Sequence, residues 1–158
     1  MKNKKRKDIK ICFISSSGGH FEQLLMLKPL MEKYNSIIVT EKTEYDALDN
    51  KNIYYLKQVN RKEKTCFIDM IKNSFISLKI FIKEKPNVII TTGVLATIPM
   101  CIIGKIARAK IIYIESFAKI TNSTLTGKLL YKFTDQFYIQ WEDMLKIYPK
   151  AIYKGGIY

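Results

Sequence analysis

One pattern constrains this chain more than any other: short, continuously apolar runs alternate with longer segments of helical periodicity. The runs are Lys10–Ile14, Ser36–Thr40, Ile53–Leu56, Val88–Thr91, Ile111–Ile114 and Gln136–Gln140. Strands that are covered on both faces of a sheet look like this, whereas half-exposed strands alternate. Between them, His20–Tyr34, Thr65–Lys85, Leu95–Ala107, Ser123–Phe133 and Trp141–Ile147 read as helices. The β-α-β-α order predicts an α/β fold, a doubly wound, Rossmann-like parallel sheet. Right-handed crossovers then gather the loops that follow the strands on one rim, where such sheets bind ligands. Pro29 falls inside the first helical pattern and is expected to kink it or remove a hydrogen bond. Lys85-Pro86 ends the long one.

With 158 residues, the chain suits one domain with a substantial core. A basic arm is expected over residues 1–8, followed by a single Rossmann-like domain over 9–158. Basic residues number 27 and acidic 14, for a net charge of +13. Without residues 1–10 the body keeps +8. That excess favours an anionic partner such as nucleic acid, acidic lipid or a phosphorylated substrate. Cys12, Cys66 and Cys101 are far apart and His20 is the single histidine, so no metal site and no cofactor are expected. A reduced compartment is the simplest reading. The apolar run Ile9–Ile14 is too short for a signal peptide and stops at a serine-glycine turn. Pro86–Gly104 is uncharged but broken by Gly93 and Pro99; it reads as a buried strand and a following helix.

Three rim loops carry the candidate chemistry. After the first strand comes Ser15-Ser16-Ser17-Gly18-Gly19-His20. Its glycines allow close backbone approach and positive φ, and the following helix start favours an anion. His20 could donate to a phosphate, accept a proton or simply cap the helix. The same turn also reads as a tight βα connection with no ligand. Thr92-Gly93 forms a second small-residue turn on the same rim. Glu115, straight after the fifth strand, is placed either to bond a hydroxyl, to act as a base, or to serve as a solvated loop acid or cap. Asn122-Ser123-Thr124 reads as a cap for the next helix. The dinucleotide fingerprint is absent, and neither Gly104-Lys105 nor Gly127-Lys128 completes a P-loop.

Residues 65–85 read as an amphipathic helix. Phe67, Ile68, Ile71, Phe75, Leu78 and Ile82 form its main stripe, which is expected to face the core. Met70, Ile76, Ile80 and Phe81 widen the apolar surface, with Lys64, Lys72, Lys79, Lys83 and Lys85 around it. The pattern fits a crossover helix with a solvated lysine face, or a helix lying on a membrane surface.

Taken together, these motifs resemble one family. Ser16-Ser17-Gly18-Gly19-His20, Thr92-Gly93, Tyr113-Ile114-Glu115-Ser116-Phe117-Ala118-Lys119-Ile120, Thr126-Gly127-Lys128, Gln140-Trp141-Glu142 and the run Tyr148–Ile157 match it in order and spacing. The resemblance, over roughly residues 9–158, is to bacterial capsular and exopolysaccharide glycosyltransferase subunits. These are similar to the membrane-anchor subunit of the two-subunit UDP-GlcNAc transferase of N-glycan assembly. It implies the amino-terminal, acceptor-side half of a GT-B glycosyltransferase. A separate catalytic subunit would bind the UDP-sugar donor, and the acceptor would be a polyprenyl-diphosphate-linked saccharide. Carried over, Ser17, Gly18, Gly19, His20, Thr92 and Gly93 would line the acceptor and phosphate site, with His20 and Glu115 as catalytic candidates. One Gly-Gly pair stands where the related single-chain enzyme has two. The place implied is the cytoplasmic face of the cell membrane, held peripherally or monotopically. Two other readings remain open: a self-sufficient transferase using His20 and Glu115, and a nucleic-acid module. The second is disfavoured because no recognised nucleic-acid motif is present, so no nucleic-acid partner is expected.

Overall fold

The computed structural model describes residues 8–42, 52–60 and 62–158. Most of the expected basic arm, and most of the stretch Asp46–Asn52, lie outside these residues. Among the described residues, seven strands form one sheet: β1 (Lys10–Ile14), β2 (Asn35–Glu41), β3 (Ile53–Leu56), β4 (Val88–Thr91), β5 (Lys110–Ile114), β6 (Gln136–Ile139) and β7 (Ile152–Tyr153). Their order is β3-β2-β1-β4-β5-β6-β7, every neighbouring pair is parallel, and Cys12 pairs with Ile37 on one side and Ile89 on the other. The doubly wound, Rossmann-like sheet is therefore as expected, with one more strand than the apolar runs announce. β7 is only two residues long, too short to leave a pattern.

The described α-helices that flank the sheet are α1 (Gly19–Leu25), α2 (Lys28–Lys33), α3 (Cys66–Glu84), α4 (Ile98–Ile106) and α5 (Leu125–Leu130). Alternate residues of β1 point to two cores. Ile11 and Phe13 join Leu24, Ile90 and Ile114 under α1 and α2, while Cys12 and Ile14 join Ile80, Met100 and Leu130 under α3, α4 and α5. Burial pushes the Cys101 thiol up to about 12, and Cys12 higher still, so both behave as small apolar side chains.

The expected helix 20–34 is two helices. Pro29 stands in the first turn of α2, where its missing N–H is tolerated, and the break falls just before it. Lys85 ends α3 in the left-handed region (φ 47°) ahead of Pro86. Segment 123–133 narrows to the six-residue α5, capped by Thr124, whose hydroxyl accepts from the Gly127 N–H at 2.8 Å. Residues Glu142–Lys146 form a 3-10 turn in place of the expected helix.

The larger correction concerns α3. Its main apolar stripe faces outward: Phe67 is 74% exposed and Phe75 63%. The buried face carries Asp69, Asn73, Ser77 and Ile80. Asp69 and Asn73 face the end of β3, an edge strand whose backbone beyond Leu56 needs partners. Asn73 closes that edge, accepting from the Lys57 N–H (2.8 Å) and donating to the Lys57 carbonyl (2.7 Å). Lys57 reaches on to Asp69 at 2.6 Å, and this ammonium holds the Asp69 carboxyl below its usual range.

Candidate functional site

The turn after β1 and the turn after β4 meet where the strand order changes direction, at the carboxyl edge of the sheet. Ser16 N–H donates to the Gly93 carbonyl at 3.2 Å, which ties the two turns together. A reciprocal clasp lies beside it. His20 Nδ1 donates to the Thr92 carbonyl, and the Thr92 hydroxyl donates back to the His20 carbonyl, both at 2.8 Å. A carbonyl can only accept, so Nδ1 carries the proton; in the neutral ring, Nε2 is then the free acceptor. Gly93, at φ 96°, sits in a region that side chains rarely adopt. A Cβ there would stand 3.4 Å from the Tyr113 hydroxyl and 3.8 Å from the His20 ring.

His20, Gly93 and Tyr113 form one end of a groove of about 1790 Å³, whose walls include Gln58, Asn60, Thr65, Ser123, Thr124 and Thr126; Ser17, Gly18, Gly19 and Thr92 are not among its lining residues. Lys42, Lys57, Lys62 and Lys119 also line it, against Glu63 and Asp69. Asp69 takes Lys57, which leaves Lys42, Lys62 and Lys119 without a carboxylate partner among the described residues. The positive field thus comes from lysines. With seven residues, α1 contributes little aligned dipole. Thr126 Oγ1 is buried on this wall with no protein hydrogen-bond partner among the described residues.

Glu115 sits behind the wall, at 1% exposure. Its Oε1 accepts from Tyr113 OH (3.0 Å), Ser116 N–H (2.9 Å) and Thr124 Oγ1 (3.1 Å), and its Oε2 accepts from Tyr148 OH (3.0 Å). Its backbone carbonyl takes Gln23 Nε2 (3.3 Å) and Gln140 Nε2 (2.8 Å). Burial, together with the Glu115 charge, pushes the Tyr113 and Tyr148 phenols above their usual range, so both remain donors. Of the candidate residues, the structure brings Ser17, Gly18, Gly19, His20, Thr92 and Gly93 together at the two turns. Glu115 supports the adjoining wall and presents almost no surface to the groove.

Glu41 escaped the sequence reading. It ends β2 at 5% exposure; its carboxylate accepts from Val59 N–H at 3.0 Å and lies 3.4 Å from Ser17 N. It therefore joins the first turn to the loop after β3. The available signal was the one that pointed to Glu115, a carboxylate straight after an apolar strand. Burial raises its ionisation above the usual carboxylate range; the N–H groups of Val59 and Ser17 and the His20 charge oppose that rise.

The terminal segment folds back on this edge. Ile157 N–H donates to Gln140 Oε1 at 2.9 Å, Trp141 Nε1 donates to the Phe117 carbonyl at 2.7 Å, and the Phe117 ring packs against Trp141 and Tyr158.

Among solved structures, the fold is similar to Acinetobacter baumannii MurG (TM-score 0.70, 14% identity, 85% of this chain and 42% of that one). It is equally similar to the UDP-GlcNAc 2-epimerase of Methanocaldococcus jannaschii (TM-score 0.71, 13% identity, 94% and 46%). The chain thus spans less than half of each, and it matches the amino-terminal half of the GT-B fold. Among curated proteins, it is 28% identical over 177 residues to the "UDP-N-acetylglucosamine transferase subunit ALG14" of Yarrowia lipolytica, covering 96% of this chain and 82% of that protein. The human protein of the same description is 23% identical over 182 residues, covering 96% and 84%. The family described as "Oligosaccharide biosynthesis protein Alg14 like" matches residues 11–157, and the chain belongs to it.

Proposed function

We propose that this chain is the accessory, acceptor-binding and membrane-recruiting subunit of a bipartite glycosyltransferase. The enzyme moves a sugar from a UDP-sugar to a polyprenyl-diphosphate-linked saccharide in polysaccharide biosynthesis, at the cytoplasmic face of the membrane. The observation that carries this reading is the groove: Lys42, Lys62 and Lys119, without a carboxylate partner among the described residues, line it together with His20, which is clasped to Thr92. Ammonium groups beside a backbone-lined turn suit a diphosphate. The hydroxyls of Ser123, Thr124 and Thr126 suit the saccharide beyond it. Ser17, Gly18, Gly19, His20, Thr92 and Gly93 form the acceptor site in this reading. Glu115 acts through Tyr113 and Thr124.

In the transfer, the acceptor hydroxyl oxygen forms the new bond to the sugar C1. The bond from C1 to the donor phosphate breaks, and UDP leaves with that electron pair. The hydroxyl proton needs an acceptor, and His20 Nε2, the ring nitrogen not engaged by Thr92, is the candidate for it. The names of the relatives, subunits of UDP-N-acetylglucosamine transferases, support a donor held by another polypeptide. That partner's seat is the rim together with the terminal segment packed on Phe117.

The test is reconstitution. The chain is co-expressed with a co-encoded chain carrying a UDP-sugar-binding lobe, and labelled UDP-GlcNAc is supplied with a short-chain polyprenyl-diphosphate saccharide. Transfer is expected only when both chains are present and is lost with His20→Asn, which keeps an N–H donor for the Thr92 carbonyl, at unchanged melting temperature. Turnover by this chain alone, or failure of any co-encoded lobe to bind it and yield transfer, overturns the proposal.

A further inference from the structure

The outer face of α3 is more apolar than its inner one. Phe67, Ile68, Ile71, Phe75, Leu78 and Ile82 recur at helical spacing on the exposed side. At a rise of about 1.5 Å per residue the stripe is roughly 22 Å long. α4 packs beside α3 and adds Ile102 and Ile106, the latter 79% exposed. A contiguous apolar surface of this kind on a soluble-looking fold marks an interaction site.

Among the described residues, the charges on its border are lysines. Lys72, Lys79 and Lys83 follow one border of the stripe at spacings of seven and four residues. Lys83 Nζ stands 5.1 Å over the Tyr54 ring, so this border lies toward β3 and the opposite one toward α4. Neither carboxylate of α3 reaches the outer face. Asp69 is buried on Lys57, and Glu84 bonds Lys10 and Tyr54. An apolar strip bordered by lysines and free of carboxylates complements an anionic bilayer: side chains enter the acyl boundary while ammonium groups stay among the headgroups. None of the helices among the described residues is long and apolar enough to cross a membrane.

We propose that the outer face of α3, continued by α4, is a docking surface for an anionic lipid bilayer, and that this surface meets the acceptor groove at the first turns of α3. Thr65 and Asp69 line the groove from that end of the helix, and Phe67 and Ile68 lie between them in sequence on the outer side. A bilayer held at Phe67 is then within about one helical turn of the groove mouth. A lipid-linked diphosphate can enter the groove while its hydrocarbon chain remains in the membrane. The second clause rests on the acceptor reading above; the first stands without it.

The experiment is co-sedimentation of the full chain with vesicles of phosphatidylcholine alone, or of phosphatidylcholine and phosphatidylglycerol in a three-to-one ratio. The wild type is expected to bind the anionic vesicles at least about tenfold more tightly than the neutral ones. Phe67→Ser with Phe75→Ser is expected to weaken binding to anionic vesicles by about tenfold or more. Lys72→Gln with Lys79→Gln and Lys83→Gln is expected to remove the preference for phosphatidylglycerol. All five side chains are exposed, and unchanged melting temperatures confirm the fold. Both variants should still bind a water-soluble short-chain acceptor as the wild type does, and the Phe variant should lose access to a long-chain acceptor embedded in vesicles. Wild type and variants sedimenting alike, or a wild type that ignores vesicles and instead captures a protein through this face, overturns the docking surface. A wild type that binds vesicles but not the short-chain acceptor overturns the acceptor reading and leaves the docking surface standing.

Discussion

A Cβ on Gly127 would stand 2.1 Å from Glu115 Oε2. It would also meet Tyr148 OH at 2.7 Å and Thr124 Oγ1 at 2.8 Å, and both hydroxyls are fixed by their own bonds to Glu115. The first turn of α5 therefore closes over a buried carboxylate that no side chain at position 127 can accommodate. Alanine normally favours a helix over glycine by about 1 kcal/mol. Here the overlap reverses the sign, and Gly127→Ala is expected to destabilise the chain by roughly 1–3 kcal/mol. The readout is a lower urea midpoint at unchanged slope. A midpoint that rises would show that the wall yields and that the overlap is relieved cheaply.

Glu115 itself is an acceptor for three hydroxyls and one N–H. A glutamine supplies a single carbonyl oxygen and turns N–H donors toward groups that already donate. Glu115→Gln is thus expected to lose on the order of 2–3 kcal/mol. Tyr148→Phe removes one donor and should lose only about 1 kcal/mol. Because Tyr148 precedes β7, the second variant should also speed amide exchange at Ile152 and Tyr153. Equal stability of wild type and Glu115→Gln would remove the network from the account of the groove wall.

The legible part of this fold was the part encoded in runs. Six strands stand within a residue or two of their apolar stretches, because burial on both faces of a parallel sheet leaves continuous signals such as Ile111–Ile114. The two glycine turns were legible for a similar reason, since few other residues tolerate φ 70° at Gly18 or 96° at Gly93. The orientation of α3 was not. Its apolar residues cover two faces, and the usual rule assigns the denser stripe to the core. The unpaired edge of β3, which calls for Asn73, is a tertiary feature with no local trace. β7 was hidden by its length, whereas Glu41 carried the same mark as Glu115, a carboxylate straight after an apolar strand.

Glu41 carries a pH signature. Its folded-state ionisation is raised above the unfolded value by burial. Between those two points the folded state holds the proton more tightly. The stability this adds is complete below the unfolded value, about pH 4.3, and is lost as the pH rises through the folded one. Glu41→Gln has no proton to lose. The melting temperature of the variant relative to the wild type should therefore climb as the pH is taken from 4 toward neutrality. Other carboxylates titrate in both proteins, so the difference isolates this group. A difference that is flat or falls with pH would mean that the N–H groups of Val59 and Ser17 outweigh burial.

His20 has two separable jobs, and one substitution divides them. His20→Asn keeps an N–H donor within reach of the Thr92 carbonyl, where Nδ1 now sits at 2.8 Å, but has nothing in place of Nε2. If Nε2 takes the proton of the attacking hydroxyl, the two-chain enzyme proposed above should lose about 10²–10⁴ in kcat, while its melting temperature and its complex with the proposed donor-binding chain stay as they were. A role confined to holding phosphate shows differently: the deficit of the variant then appears in the acceptor KM with kcat preserved. Near-wild-type activity of His20→Asn would restrict the histidine to its clasp on Thr92.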